Sequence, residues 1–165
     1  MKTEIEVKFL DVDFDLLREK LKQLGATCEM PMRLMRRAII QPPELHARHA
    51  FVRVRDEGDK VTLTYKQVDE DSLTGAKEIE VTVGNFEDTV ALLEEAGLKQ
   101  KSFQESRRET WHLNGVEIVL DEWPWLKPYI EIEGPTEASV KELAAKLGFD
   151  WNDACLLYTS DAADE

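Results

Sequence analysis

The segment Glu4-Ile5-Glu6-Val7-Lys8 alternates strictly between charged and branched apolar side chains. A period of two is typical of a β-strand with one charged face and one apolar face. The pattern returns at Glu78-Ile79-Glu80-Val81 and at Glu131-Ile132-Glu133. Three such strands in one sheet would place six carboxylates on a single face, where they repel one another unless cations lie among them.

The composition is typical of one soluble domain. A chain of 165 residues is long enough for a single core, and nothing in it resembles a signal peptide. No apolar run approaches the roughly 20 residues of a membrane span, so a cytoplasmic protein is expected. The formal net charge of −13 argues against a nucleic-acid partner, which would need clustered positive charge. Cys28 and Cys155 are far apart and the three histidines are scattered, which argues against a disulfide and a zinc site.

Alternation and turn signals predict further strands and three helices. Besides the acidic strands, period-two patterns predict strands at 33–40, 51–55, 60–66, 103–112 and 116–122. Asn114-Gly115, between the last two of these, is a strong hairpin signal. Helical patterns cover 14–24, 86–96 and 136–147, and each is followed by a glycine. Residues 41–50 and the polar stretch 67–77 are predicted to be connections.

The position of the charged side chains predicts a barrel. Apolar side chains such as Val54, Leu63 and Ile79 lie opposite the charged positions, and the three helices are available to cover them. The charged face cannot be a dry core, because unpaired buried charges are strongly unfavourable, so it is expected to line a wet cavity. An antiparallel sheet of seven or eight strands removes its edges by closing. The expected fold is α+β: a closed or nearly closed antiparallel eight-stranded β-barrel, or tunnel, with helices packed on the outside.

The charged face carries both acidic and basic side chains. Its positions are Glu4, Glu6, Lys8, Arg53, Arg55, Lys66, Glu78, Glu80, Glu131 and Glu133. Carboxylates and cations on the same face of distant segments indicate two sub-sites, one for a divalent metal ion and one for phosphoryl oxygens. A structural ion-pair network is the alternative for the same pattern. If only one strand carried this acidic pattern, a sheet face exposed to water would be the simpler interpretation.

One ordered series of charged residues carries a family resemblance. The series is Glu4-x-Glu6-x-Lys8, Arg53-x-Arg55, Lys66, Glu78-x-Glu80, Arg108, Asp121 and Glu131-x-Glu133. It resembles the CYTH domain, also called the triphosphate tunnel metalloenzyme superfamily, over residues 1 to about 152. That superfamily includes class IV adenylate cyclases, thiamine triphosphatases and inorganic triphosphatases, all built on an eight-stranded antiparallel tunnel.

The resemblance implies a role for each group in the tunnel. Triphosphate would be held by Lys8, Arg53, Arg55, Lys66 and Arg108. One or two Mg2+ or Mn2+ ions would be bound by Glu4, Glu6, Asp121, Glu131 and Glu133, with Glu80 nearby. The catalytic residues would be Glu4, Glu6, Lys8, Lys66 and Glu80. Guanidinium groups match phosphate oxygens and hard oxygen ligands suit Mg2+, which agrees with this division.

Three features depart from the family pattern. Many members carry a lysine shortly before the arginine of Arg108, where this chain has Ser106 and Arg107, and alternation turns Arg107 to the other face. The His-Phe pair that precedes the first motif in some cyclases is absent, which favours a hydrolase. The run 155–165 takes the place of a further helix and resembles translated adapter DNA. Residues 1–154 are therefore interpreted as one CYTH-like domain without its natural C-terminal helix, and 155–165 as a non-native tail.

Two further sets of residues are weaker candidates. Arg36 and Arg37 point to opposite faces, so at most one reaches the lumen, and Arg36 is added as a candidate substrate-binding residue. Trp123 and Trp125 flank Pro124 and could stack on a base, although such aromatics more often fix a loop on a barrel.

Three functions are compatible with these residues. The first is metal-dependent hydrolysis of tripolyphosphate or of an organic triphosphate such as thiamine triphosphate. The second is cyclisation of ATP to cyclic AMP and pyrophosphate, and the third is polyphosphate binding without turnover. The expected partner is a small triphosphate substrate, with no nucleic acid and no membrane, and a homodimer is left open.

Overall fold

Eight β-strands and four helices make up the part of the chain that the structure, a computed structural model, describes: residues 2–68 and 76–155, with the side chains of 5–68 and 77–155. The strands are β1 (Lys2–Leu10), β2 (Thr27–Ile40), β3 (Ala50–Asp56), β4 (Val61–Val68), β5 (Ala76–Val83), β6 (Gln100–Leu113), β7 (Val116–Glu122) and β8 (Tyr129–Gly134). The helices are α1 (Phe14–Gln23), α2 (Pro43–His46), α3 (Phe86–Glu95) and α4 (Glu137–Leu147), followed by a 3-10 turn at Trp151–Asp153. In this part of the chain no helix has the length and apolar character needed to cross a membrane.

The strands form a ring in which every neighbouring pair is antiparallel. Their order is β1-β5-β4-β3-β2-β6-β7-β8. β1 pairs with β8 over residues 5–10 but with β5 only over residues 2–4, so the ring is held together least at the junction of β1 and β5. The α+β fold expected from the sequence, an antiparallel eight-stranded barrel that is closed or nearly closed, is confirmed.

Capping residues set the starts of the three predicted helices. Asp13 accepts backbone N–H groups at the start of α1, Asn85 does so for α3, and Thr136 forms a capping box with Ser139 at the start of α4. Such caps satisfy backbone donors that a helix end otherwise leaves unpaired. The short helix α2 lies in a segment expected to be a loop, and Pro43 at its start favours a helical turn there.

Two apolar cores lie outside the barrel, between strands and helices. The larger one packs α1 and α4 against the strands around β1 and β8. Its fully buried side chains include Val7, Leu21, Ile118, Leu120, Ile130, Ile132 and Val140. The smaller one packs Phe86 and Leu93 of α3 against Ala38 and Ile40 of β2 and Val54 of β3. On these strands the apolar face is therefore the outer face, which turns the alternating charged face toward the lumen.

The outer face of β5 is an exception to this packing. Ile79 and Val81 are each 51 % exposed, although the sequence predicts that the whole apolar face lies under helices. That prediction is wrong for β5, because three helices that form two cores are too few to cover eight strands.

The segment after α4 returns to β1. Phe149 stacks on Phe9 with ring centroids 4.5 Å apart. The backbones of Cys155 and Lys8 exchange two hydrogen bonds of 2.9 and 3.0 Å. Cys155 therefore pairs with β1, and the domain boundary expected at 154 stays a prediction. The rest of the expected tail, residues 156–165, lies outside the described residues.

Candidate functional site

The lumen is lined by side chains that alternate with those of the outer cores. Residues paired directly across antiparallel strands share a face. Glu6 pairs with Glu133 and Lys8 with Glu131, on the side of β1 opposite Val7. The other lumen pairs are Arg53 with Thr64, Arg55 with Thr62, Thr64 with Glu80, Lys66 with Glu78 and Arg108 with Asp121. The charged positions of the alternating strands therefore line one lumen. Glu4 is the exception, because its side chain lies outside the described part of the chain, and its role stays a prediction.

Lys8 lies at the centre of one group of lumen charges. Its Nζ donates to Glu6 Oε1 at 3.2 Å and lies 3.5 Å from Glu131 Oε2, while Lys66 Nζ lies 3.5 Å from the second oxygen of Glu6. Burial alone would lower the pKa of Lys8, but the attraction of Glu131 and Glu6 outweighs it and raises the pKa. Burial likewise opposes the ionisation of Glu131, yet Lys8, Arg108 and Lys66 hold its pKa well below the ordinary value. Lys8 and Glu131 are therefore charged at neutral pH.

Arg108 joins this group to a second one made of guanidinium groups. Its Nε and Nη2 donate to the two oxygens of Asp121 at 2.8 and 2.5 Å, and Nη2 lies 4.0 Å from Glu131 Oε2. Burial lowers the pKa of Arg108, but the attraction and hydrogen bonds of Asp121 raise it above its ordinary value overall. Asp121 is completely buried. The carboxylate expected as a metal ligand therefore holds Arg108 in position.

Arg55 is held by acids on the following turn and on β5. Its Nη2 lies 2.7 Å from Glu57 Oε1, its Nε donates to the same oxygen at 3.0 Å, and Glu80 Oε2 lies 3.8 Å from Nη2. Thr64 Oγ1 donates to that Glu80 oxygen at 2.9 Å. Glu57 is 5 % exposed. No strand alternation marks Glu57 in the sequence, because it lies in a turn, and the only signal for it is its position two residues after Arg55.

Arg53 lies beside Arg55 with part of its guanidinium unsatisfied. Its Nε is shielded from solvent and has no hydrogen-bond partner among the described residues. Burial and the neighbouring charge of Arg55 lower the pKa of Arg53 to about 10. The lumen therefore contains a buried donor that points at no acceptor of the described chain.

The structure places Arg37, not Arg36, in the lumen. Arg37 is 4 % exposed and pairs across the sheet with Arg55. Arg36 lies on the outer face, where its guanidinium contacts Asp56 at 2.5 Å and Glu87 of α3 at 3.2 Å. The prediction that Arg36 faces the lumen is wrong. Alternation within β2 separates the two arginines, but the register with β3 decides which of them faces inward.

Ser106 and Arg107, which depart from the family pattern, point to opposite faces of β6, as strand alternation predicts. Arg107 is exposed on the outer face and lies 3.9 Å from Glu122. Ser106 is buried, and its Oγ accepts a hydrogen bond of 2.9 Å from Arg37 Nη2. The prediction that Arg107 turns away from the lumen is confirmed, and an arginine of β2 reaches the position of the serine instead.

A group of residues suited to metal binding lies where no sequence pattern predicts one. Glu29, His112 and Glu117 bring their ligand atoms within 4.8 Å of one another, and within the described residues no other three-residue group does so. Glu117 pairs with Glu133 on β8, so the group shares a face with the lumen acids. Glu6, one of the acids predicted to bind metal, instead forms ion pairs with the ammonium groups of Lys8 and Lys66. No local sequence pattern marks this group, because the three residues come from three strands.

The two tryptophans after β7 differ in their surroundings. Trp123 is 8 % exposed, its Nε1 donates to the hydroxyl of Tyr129 at 2.9 Å, and its ring centre lies 4.4 Å from the guanidinium carbon of Arg37. Trp125 is 84 % exposed. A cavity of about 470 Å³ lies beside this loop. Its lining residues are Leu34, Glu105, Ser106, Arg107, Glu122, Trp123, Pro124, Leu126 and Pro128.

Fold and site together define a charged tunnel: an antiparallel eight-stranded barrel whose lumen holds opposed carboxylates, lysines and arginines. The chain belongs to the CYTH domain family, whose sequence model matches residues 2–153. A comparison with curated proteins gives no significant match.

Solved structures from three organisms share this fold. The PH1012 protein from Pyrococcus horikoshii OT3 is 25 % identical, with a TM-score of 0.79 over 93 % of this chain and 95 % of that one. A putative adenylate cyclase from Vibrio parahaemolyticus is 12 % identical, with a TM-score of 0.85 over 99 % of both chains. The putative adenylyl cyclase HpAC1 from Hippeastrum, described as having a dominant triphosphatase activity, is 16 % identical, with a TM-score of 0.61 over 97 % and 93 %. At these low identities the last two similarities establish the fold alone.

Proposed function

We propose that this protein hydrolyses a triphosphate inside its tunnel in a metal-dependent reaction, with inorganic tripolyphosphate as the first substrate to test. One observation carries the proposal: cations from four strands converge on a lumen that also holds carboxylates. The cations are Lys8 on β1, Arg53 and Arg55 on β3, Lys66 on β4 and Arg108 on β6. Ammonium and guanidinium groups form short, charge-assisted hydrogen bonds with phosphoryl oxygens, so this set suits a linear polyanion.

The carboxylates of the lumen fit a divalent metal ion. Glu6 and Glu131 lie on adjacent strands and share the ammonium group of Lys8, so their oxygens already converge on one cationic position. Glu133 pairs with Glu6 on the same face, Glu4 stays a ligand predicted from the sequence, and hard oxygen ligands suit Mg2+ or Mn2+. Asp121 fits this role least, because Arg108 engages both of its oxygens. Bound there, the ion would neutralise phosphoryl charge and orient water.

The side chains of the chain supply positioning and charge stabilisation. Lys8 and Lys66, beside the acids, would stabilise negative charge on the phosphoryl group as its bond breaks. Arg55 would hold the substrate in line, and Glu80 and Glu57 fix the direction of its guanidinium. A phosphate-binding group that is already oriented avoids an entropic cost when the substrate binds.

Cyclisation of ATP is the second candidate. It requires a pocket that grips adenosine as well as phosphate. The cavity beside residues 123–128 favours it, because Ser106 and Trp123 line that cavity and also contact the lumen residue Arg37. Hydrolysis remains the first candidate because several lining residues of the cavity, such as Arg107, lie on the outer face of the barrel.

The test is to incubate the protein separately with tripolyphosphate, thiamine triphosphate and ATP, each with Mg2+ or Mn2+, and to resolve the products by chromatography. We expect tripolyphosphate to yield pyrophosphate and phosphate faster than ATP yields cyclic AMP. Cyclic AMP as the main product from ATP, with tripolyphosphate untouched, would overturn the proposal. No product from any of the three would leave binding without turnover as the function.

A variant pair ties the activity to the lumen. Arg55→Ala should lower turnover by roughly two to three orders of magnitude, because one oriented charge that stabilises the transition state is lost. Arg107→Ala removes an exposed arginine from the outer face and should leave turnover unchanged. Near-parent turnover by Arg55→Ala would place the reaction elsewhere.

A further inference from the structure

Arg37 is a buried cation that the proposed function does not use. Its side chain is 4 % exposed, and its Nη2 donates to Ser106 Oγ at 2.9 Å. Its Nε is shielded from solvent and has no hydrogen-bond partner among the described residues. Within the same residues no carboxylate oxygen lies within 4.0 Å of its guanidinium nitrogens. A buried charge that is neither paired nor fully hydrogen-bonded is expensive for a fold to retain.

The surroundings of Arg37 make this charge more unfavourable. Burial, then repulsion from Arg108 and Arg53, lowers the pKa of Arg37 to about 9. Arg55 is its direct partner across β2 and β3. The nearest attraction comes from Asp121, whose two oxygens are already bound to Arg108. Four guanidinium groups therefore share a region in which the closest acids, Asp121 and Glu57, are bound by Arg108 and Arg55 and not by Arg37.

The protein nevertheless holds Arg37 firmly in this region. The ring centre of Trp123 lies 4.4 Å from its guanidinium carbon, and that tryptophan is itself fixed by a hydrogen bond of 2.9 Å to Tyr129. A stacked aromatic face and one hydroxyl orient the planar guanidinium without neutralising it. An oriented and uncompensated cation of this kind is typical of a binding site whose anion completes the charge balance.

We propose that Arg37, oriented by Trp123 and Ser106, binds phosphoryl oxygens of the tunnel's substrate together with Arg53. The inference rests on the proposed function for the identity of the anion and extends it by one substrate-binding residue on β2. Both arginines present a buried Nε–H that has no acceptor among the described residues, and the oxygens of one phosphoryl group can accept from two such donors. Arg37 and Arg53 would then form the end of the tunnel site that lies away from Lys8 and Glu6.

The experiment compares Arg37→Met with Arg36→Met, the neighbouring arginine on the outer face. Affinity for inorganic tripolyphosphate is measured by titration calorimetry without divalent metal, at several salt concentrations. We expect Arg37→Met to bind roughly ten- to a hundredfold more weakly than the parent. We also expect its affinity to depend less steeply on salt, because one binding charge is gone. Arg36→Met should match the parent in both respects.

Folding is checked separately, because a purely structural role makes a different prediction. Without ligand, Arg37→Met should melt no lower than the parent, since it removes an uncompensated charge. Arg37→Gln, which keeps a donor for Ser106, is the second variant and should show the same loss of affinity. Parent-like affinity in the folded variants, or weaker binding with an unchanged salt dependence, would overturn the inference.

The outcome is distinguishable from that of the proposed function. If the parent binds tripolyphosphate without hydrolysing it and Arg37→Met binds weakly, the hydrolase proposal fails and the role of Arg37 stands. If the parent hydrolyses tripolyphosphate and Arg37→Met binds and hydrolyses it equally well, the role of Arg37 fails alone. If the parent does not bind tripolyphosphate, both fail.

Discussion

The arginines of the lumen are of two kinds, which differ in whether a buried acid holds the guanidinium group. Arg108 and Arg55 are each held by a buried acid, Asp121 and Glu57 respectively. Among the described residues Arg37 and Arg53 have no comparable acid partner, and the Nε–H of each is buried there without a hydrogen-bond acceptor. The first kind is stabilised by its own acid, whereas a buried charge of the second kind is unfavourable for the fold, and we expect a bound anion to relieve that cost.

Glu57 is a buried acid whose removal should lower the stability of the protein. Glu57→Gln should cost about 1–3 kcal/mol of unfolding free energy at pH 7, because it leaves Arg55 without its closest partner. Burial alone would raise the pKa of Glu57, but Arg55 and Lys60 hold it below the ordinary value of 4.5. A carboxyl with a lowered folded pKa stabilises fully above its unfolded pKa, and this contribution is lost as the pH falls through the folded pKa. The difference between variant and parent should therefore shrink toward about pH 3.5.

Urea unfolding of both proteins at the two pH values checks this prediction. The matched control is Glu87→Gln, which removes an exposed carboxylate paired with Arg36 and should change the free energy of unfolding by less than about 0.5 kcal/mol at either pH. A cost of Glu57→Gln that does not change with pH would show that the side chain stabilises by packing rather than by charge.

At the level of elements, the docking of α4 on β8 depends on a close approach at Gly134. A Cβ atom at this position would lie 2.9 Å from Ser139 Oγ and 2.9 Å from Val140 Cγ2. Ser139 is fixed in the capping box with Thr136, and Val140 is fully buried in the larger core. Neither neighbour is free to move aside, so the start of α4 requires glycine at the end of β8.

Gly134→Ala should therefore destabilise the protein by about 1–3 kcal/mol through overpacking. Gly84→Ala is the control, because a Cβ there has no neighbour within 4 Å, and we expect it to be neutral within about 0.5 kcal/mol. Thermal unfolding of both variants against the parent is the measurement. Equal melting temperatures for Gly134→Ala and the parent would mean that α4 shifts on the sheet without cost.

At the level of the whole molecule, the charge is separated by location. The chain carries a net charge of −13, whereas the lumen concentrates lysines and arginines from several strands. Cations enclosed among carboxylates inside an acidic protein are expected to suit a compact, multiply charged anion bound with a metal ion better than an extended polyelectrolyte such as nucleic acid. This arrangement agrees with a small triphosphate as the ligand.

Ligand and metal should stabilise the fold together. We expect tripolyphosphate with Mg2+ or Mn2+ to raise the melting temperature by roughly 5–10 °C at about 100 times the dissociation constant, and by more than the sum of the separate effects. The physical reason is that each charge reduces the repulsion left by the other in the lumen. A thermal-shift titration is the measurement, with sodium sulfate of equal ionic strength as the control. A response no larger than that to sulfate would argue against a functional site.

The sequence by itself determined the strand faces, the helix ends and most of the lumen. Period-two alternation set the inward faces of Lys8, Arg55 and Glu131, because a strand offers each side chain only two directions. Only the tertiary structure decided what depends on register and on distant partners. The pairing of Arg37 with Arg55 turned Arg37 rather than Arg36 inward. Packing of eight strands by few helices left the outer face of β5 exposed, and no local pattern encodes either result.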